Sequence, residues 1–319
     1  MEVKGNQPDP PLLARRLVVF TGKGGVGKTV VSTAFALMAA RRGLRVLLGE
    51  IRSPRRAPAL LGLTPHENGP QTLAQGLTWM NFTPDTALET YAMKLLRFRS
   101  VYRAVFEQRA VRRFLRAVPA LSEILILGHL VYLLTDNDAY DLAVLDAPSS
   151  GSGAIMLQAP QKAMDGAPPG ALYDGAAWIQ ELLSDARRCA VNQVVLAEEL
   201  PVSEAIFLHH RIRDELRLPL GAIFVNRVLD DPFAGLQVPD RDIDSICRAM
   251  REQPDGRGLG GACAILRARL RLQRIYLDRL RAGVPLPRVE LAEVLGAADG
   301  AGIVFRLAEV LDSVMREIQ

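Results

Sequence analysis

Residues 22–29 have the sequence GKGGVGKT and fit the phosphate-binding pattern G-x-x-x-x-G-K-[ST]. Glycines at these positions let successive backbone N–H groups turn towards phosphate oxygens without conflict from Cβ atoms. Lys28 is predicted to bind the β- and γ-phosphates, and the Thr29 hydroxyl is predicted to bind Mg²⁺. The motif therefore predicts an ATP and Mg²⁺ site whose nucleotide-binding residues are Gly22, Lys23, Gly24, Gly25, Val26, Gly27, Lys28 and Thr29.

Three later residues lie just after segments that have the composition of buried strands. Asp146 follows an apolar run, where a carboxylate would lie near Mg²⁺ and hold its waters; the alternative is an Asp that caps the turn before Pro148. Gly151 can bring its backbone N–H close to a γ-phosphate, so that its loop senses the nucleotide. Asn226 presents a donor and an acceptor at the carboxyl end of a strand, although an isolated Asn there is commonly a turn residue.

Strand-like and helical segments alternate along the chain. Helical patterns separate most of the strands and span 28–42, 86–116, 203–217 and 262–281. This alternation implies βαβ crossovers. We predict an α/β fold, a P-loop parallel sheet of about seven strands flanked by helices, with strands at 16–21, 44–50, 77–83, 140–146, 191–197, 221–226 and 287–291.

The spacing of the strands also predicts the domain organisation. Two long stretches lack sheet strands, and we interpret them as a helical subdomain inserted at about 84–138 and 154–189. Residues 1–14 are predicted to be a flexible N-terminal tail, and residues 15–319 a single P-loop ATPase domain.

The composition favours a globular protein that is not embedded in a membrane. Hydrophobic residues make up 49% of the 319 residues and charged residues 23%, enough for a sizeable core. The longest nearly apolar run, 121–134, is shorter than the ~20 residues of a membrane span. Residues 1–11 also lack the apolar region of a secretory signal. We expect no transmembrane segment and a cytoplasmic location, with peripheral attachment at the inner face of the membrane left open.

Basic residues and cysteines restrict the partners. Residues 91–116 carry eight basic residues against one acidic residue, typical either of a solvated helical face or of a surface for an anionic partner. No aromatic-rich binding module lies nearby, so nucleic acid is not expected. The three cysteines are an odd number and far apart, and support neither a disulfide framework nor a paired-cysteine zinc site.

Lys23 is a second lysine, one residue after the first glycine of the motif. The resulting sequence is the deviant Walker A form of the SIMIBI class of P-loop ATPases. Segments 80–91, 146–151, 224–227 and 285–291 are also similar, in sequence and in order, to segments of the family that includes the arsenical-pump ATPase ArsA and the tail-anchored-protein targeting ATPase. Over most of its length the chain resembles a bacterial member of this family.

The resemblance implies an ATP-binding dimeric switch. It implies that Lys23 reaches the nucleotide of the other subunit, that Asn226 and Arg227 contact the adenine, and that the loop containing Pro285 closes over the base. The catalytic residues predicted in this way are Lys23, Lys28, Glu50 and Asp146. The metal-binding residues are Thr29, Glu50 and Asp146, and Gly151, Asn226, Arg227 and Pro285 complete the nucleotide-binding set.

One segment departs from the family pattern. The family has D-x-D-P-A after its second strand, and its second Asp positions the attacking water. Here Glu50, predicted to hold Mg²⁺ through water, takes the first acidic position and Arg52 takes the second. A guanidinium cannot accept a proton or align water as a carboxylate does. The sequence therefore predicts slow ATP hydrolysis, and leaves open a non-catalytic ATP-binding scaffold subunit.

The implied partners are a second copy of the chain or a paralogue, and a protein client or membrane-protein partner at the helical subdomain. The apolar run 121–134 is a candidate lining for a client groove, although core packing is the commoner explanation. Two lesser alternatives remain. An arsenite-pump subunit would need thiol ligands, and a positioning ATPase would need a cationic terminal helix, which this chain lacks.

Overall fold

The computed structural model describes residues 11–67, 69–88, 120–135, 139–235, 238–253, 257–296 and 299–317. The strands are β1 Leu17–Thr21, β2 Val46–Ile51, β3 Gln71–Ala74, β4 Leu77–Phe82, β5 Leu142–Asp146, β6 Cys189–Leu196, β7 Leu220–Val228 and β8 Arg288–Ala292. The helices are α1 Lys28–Arg41, α2 Arg56–Leu60, α3 Leu121–Thr135, α4 Ser150–Gly166, α5 Ala171–Ser184, α6 Glu199–His210, α7 Asp240–Glu252, α8 Arg257–Gly283 and α9 Gly300–Glu317. A π-helical segment, Arg211–Leu216, continues α6.

The described strands form one sheet in the order β3-β4-β2-β5-β1-β6-β7-β8. All neighbouring strands are parallel except β3, which is antiparallel to β4. The predicted α/β fold is confirmed, and β3 is one strand more than the sequence indicated. It was missed because it is only four residues long and begins with Gln71, so it has little of the apolar character that marks a strand.

The position of β1 explains where a ligand can bind. The chain leaves β1 for strands on the β5 side and later returns to its other side as β6. Open α/β sheets bind ligands at such a reversal of strand order, beyond the carboxyl ends of the strands. The segment that follows β1, residues 22–27, lies at this point.

Two helical layers cover the sheet. Alternate residues of β1, β2, β5 and β7 pack against α1 and α9, and the rings of Phe20 and Phe35 meet edge to face with centroids 5.3 Å apart. The remaining residues of β1, β2 and β5 pack against α3, α4 and α5. Because both faces are buried, β1 can be apolar along almost its whole length.

The described part of the predicted helical subdomain shares this second core. Helices α3, α4 and α5 contact each other and the sheet. His129 of α3 is buried against the ring of Phe82, at 5.2 Å between centroids, and burial lowers its pKa to about 4. It is a core histidine. Residues 89–119, which include the whole arginine-rich stretch 91–116, lie outside the described residues, so the subdomain as a whole stays a prediction.

The region after β7 contains one disulfide that the cysteine spacing did not indicate. Helices α7 and α8 form a hairpin that brings the Cα atoms of Cys247 and Cys263 to 5.8 Å, and their Sγ atoms are bonded to each other. The hairpin is the reason, because it makes neighbours of residues 16 positions apart in sequence. Disulfides are rare in reducing cytoplasm, so the predicted cytoplasmic location gains no support from this bond.

The chain upstream of β1 also differs from the predicted flexible tail. Leu12–Ala14 form a 3₁₀ helix, and Leu12 and Leu13 pack against the first core. The folded body therefore begins before residue 15, while residues 1–10 lie outside the described part of the chain. None of the helices in the described ranges is long and apolar enough to cross a bilayer.

Candidate nucleotide-binding site

The loop after β1 depends on glycines at two positions of very close packing. Gly22 has φ +143°, and a Cβ atom there would lie 2.3 Å from the backbone oxygen of Val194 in β6. Gly27 has φ +90°, and a Cβ atom there would lie 2.3 Å from Nδ2 of Asn226 in β7. The fixed backbone oxygen of Val194 excludes a side chain at Gly22, and the left-handed φ together with the Asn226 amide disfavours one at Gly27. The P-loop is thus held against β6 and β7 and begins α1 at Lys28.

A cavity of about 850 Å³ opens beside this loop. Its walls come from the P-loop and the start of α1, from the segment after β2 together with α2, from the segment after β5, and from the first residue of α9. The lining residues are Gly24, Gly25, Gly27, Lys28, Thr29, Val30, Ile51, Arg52, Ser53, Pro54, Arg56, Ala59, Leu60, Asp146, Ala147, Pro148, Ser149 and Gly300.

Lys28 is fixed by the loop that precedes it. Its Nζ donates hydrogen bonds to the backbone oxygens of Gly22 and Lys23, both at 3.0 Å. Burial lowers the pKa of Lys28, and the nearby Asp146 carboxylate opposes that shift. The ammonium group is therefore placed at the mouth of the backbone cradle, where it can contact a phosphate.

Thr29 and Asp146 form the part of the site that fits Mg²⁺. The Thr29 hydroxyl donates a hydrogen bond of 2.5 Å to Oδ2 of Asp146, at the end of β5. Oδ1 of Asp146 is buried and has no hydrogen-bond partner among the described residues. Burial raises the pKa of Asp146 to about 6, with the nearby Glu50 adding to the shift and Thr29 opposing it. A bound cation would supply the missing partner and favour the ionised form.

This geometry fits the way P-loop proteins hold Mg²⁺. The ion takes one or two protein oxygens together with waters and phosphate oxygens, and needs no cage of several side chains. Accordingly, the described residues hold no group of three or more His, Cys, Asp and Glu side chains that could bind a metal ion alone. Thr29 Oγ1 and Asp146 are the residues that would hold Mg²⁺ here.

Glu50 does not face the cavity. It is 1% exposed, and its Oε1 accepts hydrogen bonds from the Ser53 hydroxyl at 2.7 Å and from the Arg56 backbone N–H at 3.3 Å. Its Oε2 accepts from the Ala57 backbone N–H at 3.1 Å and from Nε1 of Trp79 at 2.7 Å. The predicted catalytic and Mg²⁺-binding roles of Glu50 are not realised in this geometry, because these four donors occupy both oxygens and hold the start of α2.

Two arginines lie on the wall opposite the P-loop. Arg52 has a left-handed backbone (φ +47°), and its Nη1 donates to Oε1 of Glu123 in α3 at 3.0 Å. The guanidinium of Arg56 lines the same cavity and has no hydrogen-bond or ion-pair partner among the described residues. Two arginines therefore lie on this wall, where the resemblance predicts a water-positioning Asp.

The segment after Asp146 is tied to the P-loop. The backbone N–H of Ser150 donates to the backbone oxygen of Gly22 at 3.0 Å, and Ser149 lines the cavity. Gly151 lies in the first turn of α4, exposed, and is not among the lining residues. Its predicted contact with a γ-phosphate would need this segment to move, and it stays a prediction.

Lys23 points away from the cavity. Its Nζ donates to Oε2 of Glu204 in α6 at 2.7 Å, and 36% of its side chain is exposed. Within one subunit, Lys23 therefore contacts an acidic residue and does not line the cavity that is predicted to bind phosphate.

Asn226 and Arg227 are adjacent near the end of β7, and their side chains have different neighbours. Nδ2 of Asn226 donates to the backbone oxygen of Val26 at 2.9 Å, so this side chain supports the loop. Arg227 lines a second cavity of about 510 Å³. The other lining residues come from the ends of β6 and β8 and from α8, and are Leu196, Ala197, Glu198, Glu199, Leu229, Arg269, Leu272, Gln273, Tyr276 and Glu293.

The structure contradicts the predicted position of Pro285. Strand β8 runs parallel to β7, with Val228 opposite Ala292, so residues before β8 lie at the edge of the sheet opposite the P-loop. Pro285 is exposed at that far edge and cannot close over a base bound near Asn226. Glu293, just after β8, lies at the nucleotide edge instead.

Sequence analysis missed the contributions of α2, α8 and α9. Arg56 stands among several basic residues typical of an exposed loop, and Gln273 gave no signal at all. The Gln273 amide bonds both the N–H and the oxygen of Leu229, at 2.8 and 2.9 Å, and so fixes the loop after β7. Such long-range contacts leave no local pattern in the sequence.

A comparison with known proteins agrees with the geometry. The family described as anion-transporting ATPase, ArsA type, matches residues 15–166, a range that includes the P-loop, Arg52 and Asp146. Over this range the chain is similar to the ArsA ATPase family. A putative ATPase of Mycobacterium bovis and the ATPase BagA of Mycobacterium tuberculosis are each 26% identical to it, over 93% of this chain and 92% of the relative. A putative arsenical pump-driving ATPase of Halobacterium salinarum is 24% identical over 70% of this chain and 37% of that protein.

Glu50→Ala tests the structural role of this carboxyl group in the ArsA-type fold. The change leaves the Trp79 N–H and two backbone N–H groups buried without acceptors, and is expected to lower the free energy of unfolding by about 3 kcal/mol. Glu181→Ala, at a 73% exposed side chain, is the control and should cost under about 1 kcal/mol. Both are measured by urea unfolding. If Glu50→Ala had wild-type stability but bound ATP with Mg²⁺ more weakly, Glu50 would be a metal-binding residue after all.

The raised pKa of Asp146 predicts a pH dependence of stability in metal-free protein. The folded state holds the proton more tightly than the unfolded state, so this contribution is complete below about pH 4 and is lost as the pH rises to about 6. Between pH 4.5 and 7.5 the loss is about 2 kcal/mol. Asp146→Asn has no carboxyl group to titrate, so it should not lose this stability as the pH rises. Urea unfolding with EDTA should therefore show the variant gaining on wild type between pH 4.5 and pH 7.5. An equal difference between the two proteins at both pH values would contradict this prediction.

Proposed function

We propose that this chain is an ATP-binding, dimeric molecular switch that couples its nucleotide state to a protein client or a membrane-protein partner. The observation that carries the proposal is the buried, unpaired Oδ1 of Asp146 beside Thr29 and the Lys28 cradle. Such an arrangement leaves a polar atom unsatisfied until Mg²⁺ and phosphate arrive. The triphosphate would occupy the larger cavity, with Lys28 on its β- and γ-phosphates.

The adenine would lie on the β7 side of the P-loop. Asn226 uses one N–H for Val26, and its other N–H and its oxygen are not used by described residues. Arg227 lines the second cavity, whereas Asn226 does not, so Asn226 would contact the base from its place beside the P-loop and Arg227 from the cavity wall. Glu293 replaces Pro285 as the residue that β8 contributes to this edge.

Coupling would run through the segment after Asp146. Ser150 is bonded to the P-loop backbone at Gly22, and α4 begins at the same residue. A γ-phosphate that draws in Ser149 or Gly151 would therefore move the start of α4, which packs against α3 and α5. These helices belong to the region expected to engage the client or membrane partner in the cytoplasm.

A dimer is part of the proposal. Lys23 is exposed beyond the cavity of its own subunit, and exposed Leu200 and Phe207 flank its partner Glu204 on the same face of α6. A second copy of this chain, or a paralogue, would cover that apolar face and bring its own triphosphate to Lys23. Opposite charge between the lysine and the phosphates supports this choice of occupant.

Hydrolysis is expected to be slow. In the ArsA-type pattern a carboxylate aligns the attacking water, and here Arg52 occupies that position and is paired with Glu123. The same contact favours one alternative, a non-catalytic scaffold subunit that binds ATP as a structural ligand. In that case the Arg52–Glu123 ion pair would hold the loop after β2 on α3 whatever nucleotide is bound.

Lys28→Ala tests nucleotide binding. Removing the ammonium group from the cradle is expected to weaken ATP affinity at least tenfold in calorimetry with Mg²⁺, because charge-assisted contacts with phosphate are lost. Lys162→Ala changes an exposed lysine of α4 and should leave affinity within twofold of wild type. Unchanged affinity in Lys28→Ala would reject the site.

Arg52→Asp tests the cause of slow turnover. Wild type should hydrolyse ATP well below one turnover per second, and the substitution should raise kcat about tenfold or more by restoring a carboxylate at the cavity wall. Arg55→Asp is the matched control, because Arg55 lies in the same loop, has φ +63° and loses the same charge. Brisk turnover by wild type, or an equal gain in both variants, would show that Arg52 does not limit the rate.

A further inference from the structure

Glu204 joins three elements that border the nucleotide site. Its Oε2 accepts the hydrogen bond of 2.7 Å from Nζ of Lys23 in the P-loop. Its Oε1 accepts a hydrogen bond from the hydroxyl of Ser150, at the start of α4. Glu204 itself lies in the middle of α6. A single carboxyl group therefore links the P-loop, the segment after Asp146, and α6.

The carboxyl group is ionised at neutral pH. Partial burial raises the pKa of Glu204, but the hydrogen bonds from Lys23 and Ser150, together with the charges of Lys23 and Lys28, hold it below its usual value. About a third of each side chain of the Lys23–Glu204 pair is exposed. Exposed ion pairs contribute little to stability, so an anion that approaches from solvent can replace the carboxylate.

We propose that Glu204 is a latch for Lys23: it holds this lysine on α4 and α6 in the nucleotide-free subunit, and a nucleotide phosphate takes the lysine from it. The inference rests on the proposed function, since it needs ATP to bind at the P-loop. Glu204 acts through Lys23 and does not touch the nucleotide, so it is a positioning residue. Release of Lys23 leaves Glu204 bonded to Ser150 alone and thereby loosens the link between the P-loop and α6.

The latch predicts competition between Glu204 and phosphate for one ammonium group. Glu204→Gln keeps an oxygen for the Ser150 hydroxyl but removes the charge that holds Lys23. It is expected to bind a non-hydrolysable ATP analogue with Mg²⁺ about fivefold more tightly than wild type, which corresponds to about 1 kcal/mol. Glu204→Asp, one methylene shorter but still charged, should show a smaller gain. Glu215→Gln, at the exposed end of the π-helical segment, is the control and should match wild type within twofold.

A double-mutant comparison separates the latch from a general effect of charge. Loss of one negative charge near a phosphate site favours anions whether or not Lys23 is present. In a Lys23→Ala background, however, Glu204→Gln should change affinity by less than twofold if Glu204 acts through this lysine. A gain that persists without Lys23 would overturn the latch.

The affinity is measured by calorimetry at low and high protein concentration, with sedimentation of the same samples. A gain in dilute, monomeric protein shows that the subunit's own phosphate takes Lys23. A gain that appears only with the dimer, as a lower dimer dissociation constant, shows that the phosphate of a second copy takes it. Equal affinity and equal association of Glu204→Gln and wild type would overturn the latch alone.

Two controls keep the outcomes distinct. Thermal unfolding without nucleotide checks that each variant is folded, and Glu204→Asp replaces Glu204→Gln if the latter is not. A folded wild-type protein that binds no ATP analogue would overturn the proposed function, and the latch with it. Binding by wild type without any effect of Glu204 would leave the proposed function intact.

Discussion

The backbone of the P-loop lies so close to β6 and β7 that two of its positions have no room for a Cβ atom. Gly22 is pressed against the Val194 oxygen and Gly27 against the Asn226 amide. This packing sets the direction in which the N–H groups of the loop point, and it places Lys28 and Thr29 on the first turn of α1. This packing also determines where the cavity opens, how Thr29 contacts Asp146 and where Ser150 is attached.

The parts of this arrangement that depend on local pattern were predictable from sequence. Continuous apolar runs mark β1 and β5, because strands buried on both faces tolerate few polar residues, and the glycine-rich loop marks its own backbone geometry. Asp146 was identified by its place at the end of such a run. The sequence alone was therefore sufficient to predict the α/β fold and to place the glycine-rich loop and Asp146 at the ends of β1 and β5.

The parts that depend on long-range packing were not predictable in the same way. Glu50 matched a family position, but its environment is set by Trp79 on the neighbouring strand and by the turn into α2, which no local motif describes. Pro285 matched a family loop, but the direction of β8 places it at the opposite edge of the sheet. Cys247 and Cys263 are neighbours only because α7 and α8 form a hairpin. In each case the environment of the residue depends on the topology, which the local sequence does not contain.

The contact between Glu50 and Trp79 has an optical consequence. The indole of Trp79 is fully buried, and the carboxyl group that it bonds also holds the backbone of Arg56 and Ala57, beside the cavity wall. Indole emission responds to hydrogen bonding and to local polarity, so any movement of this wall changes the fluorescence of Trp79. Trp178 of α5, the other tryptophan of the chain, packs in the core on the opposite face of the sheet. The protein therefore carries an intrinsic fluorescent reporter next to its candidate nucleotide site, together with a distant internal reference.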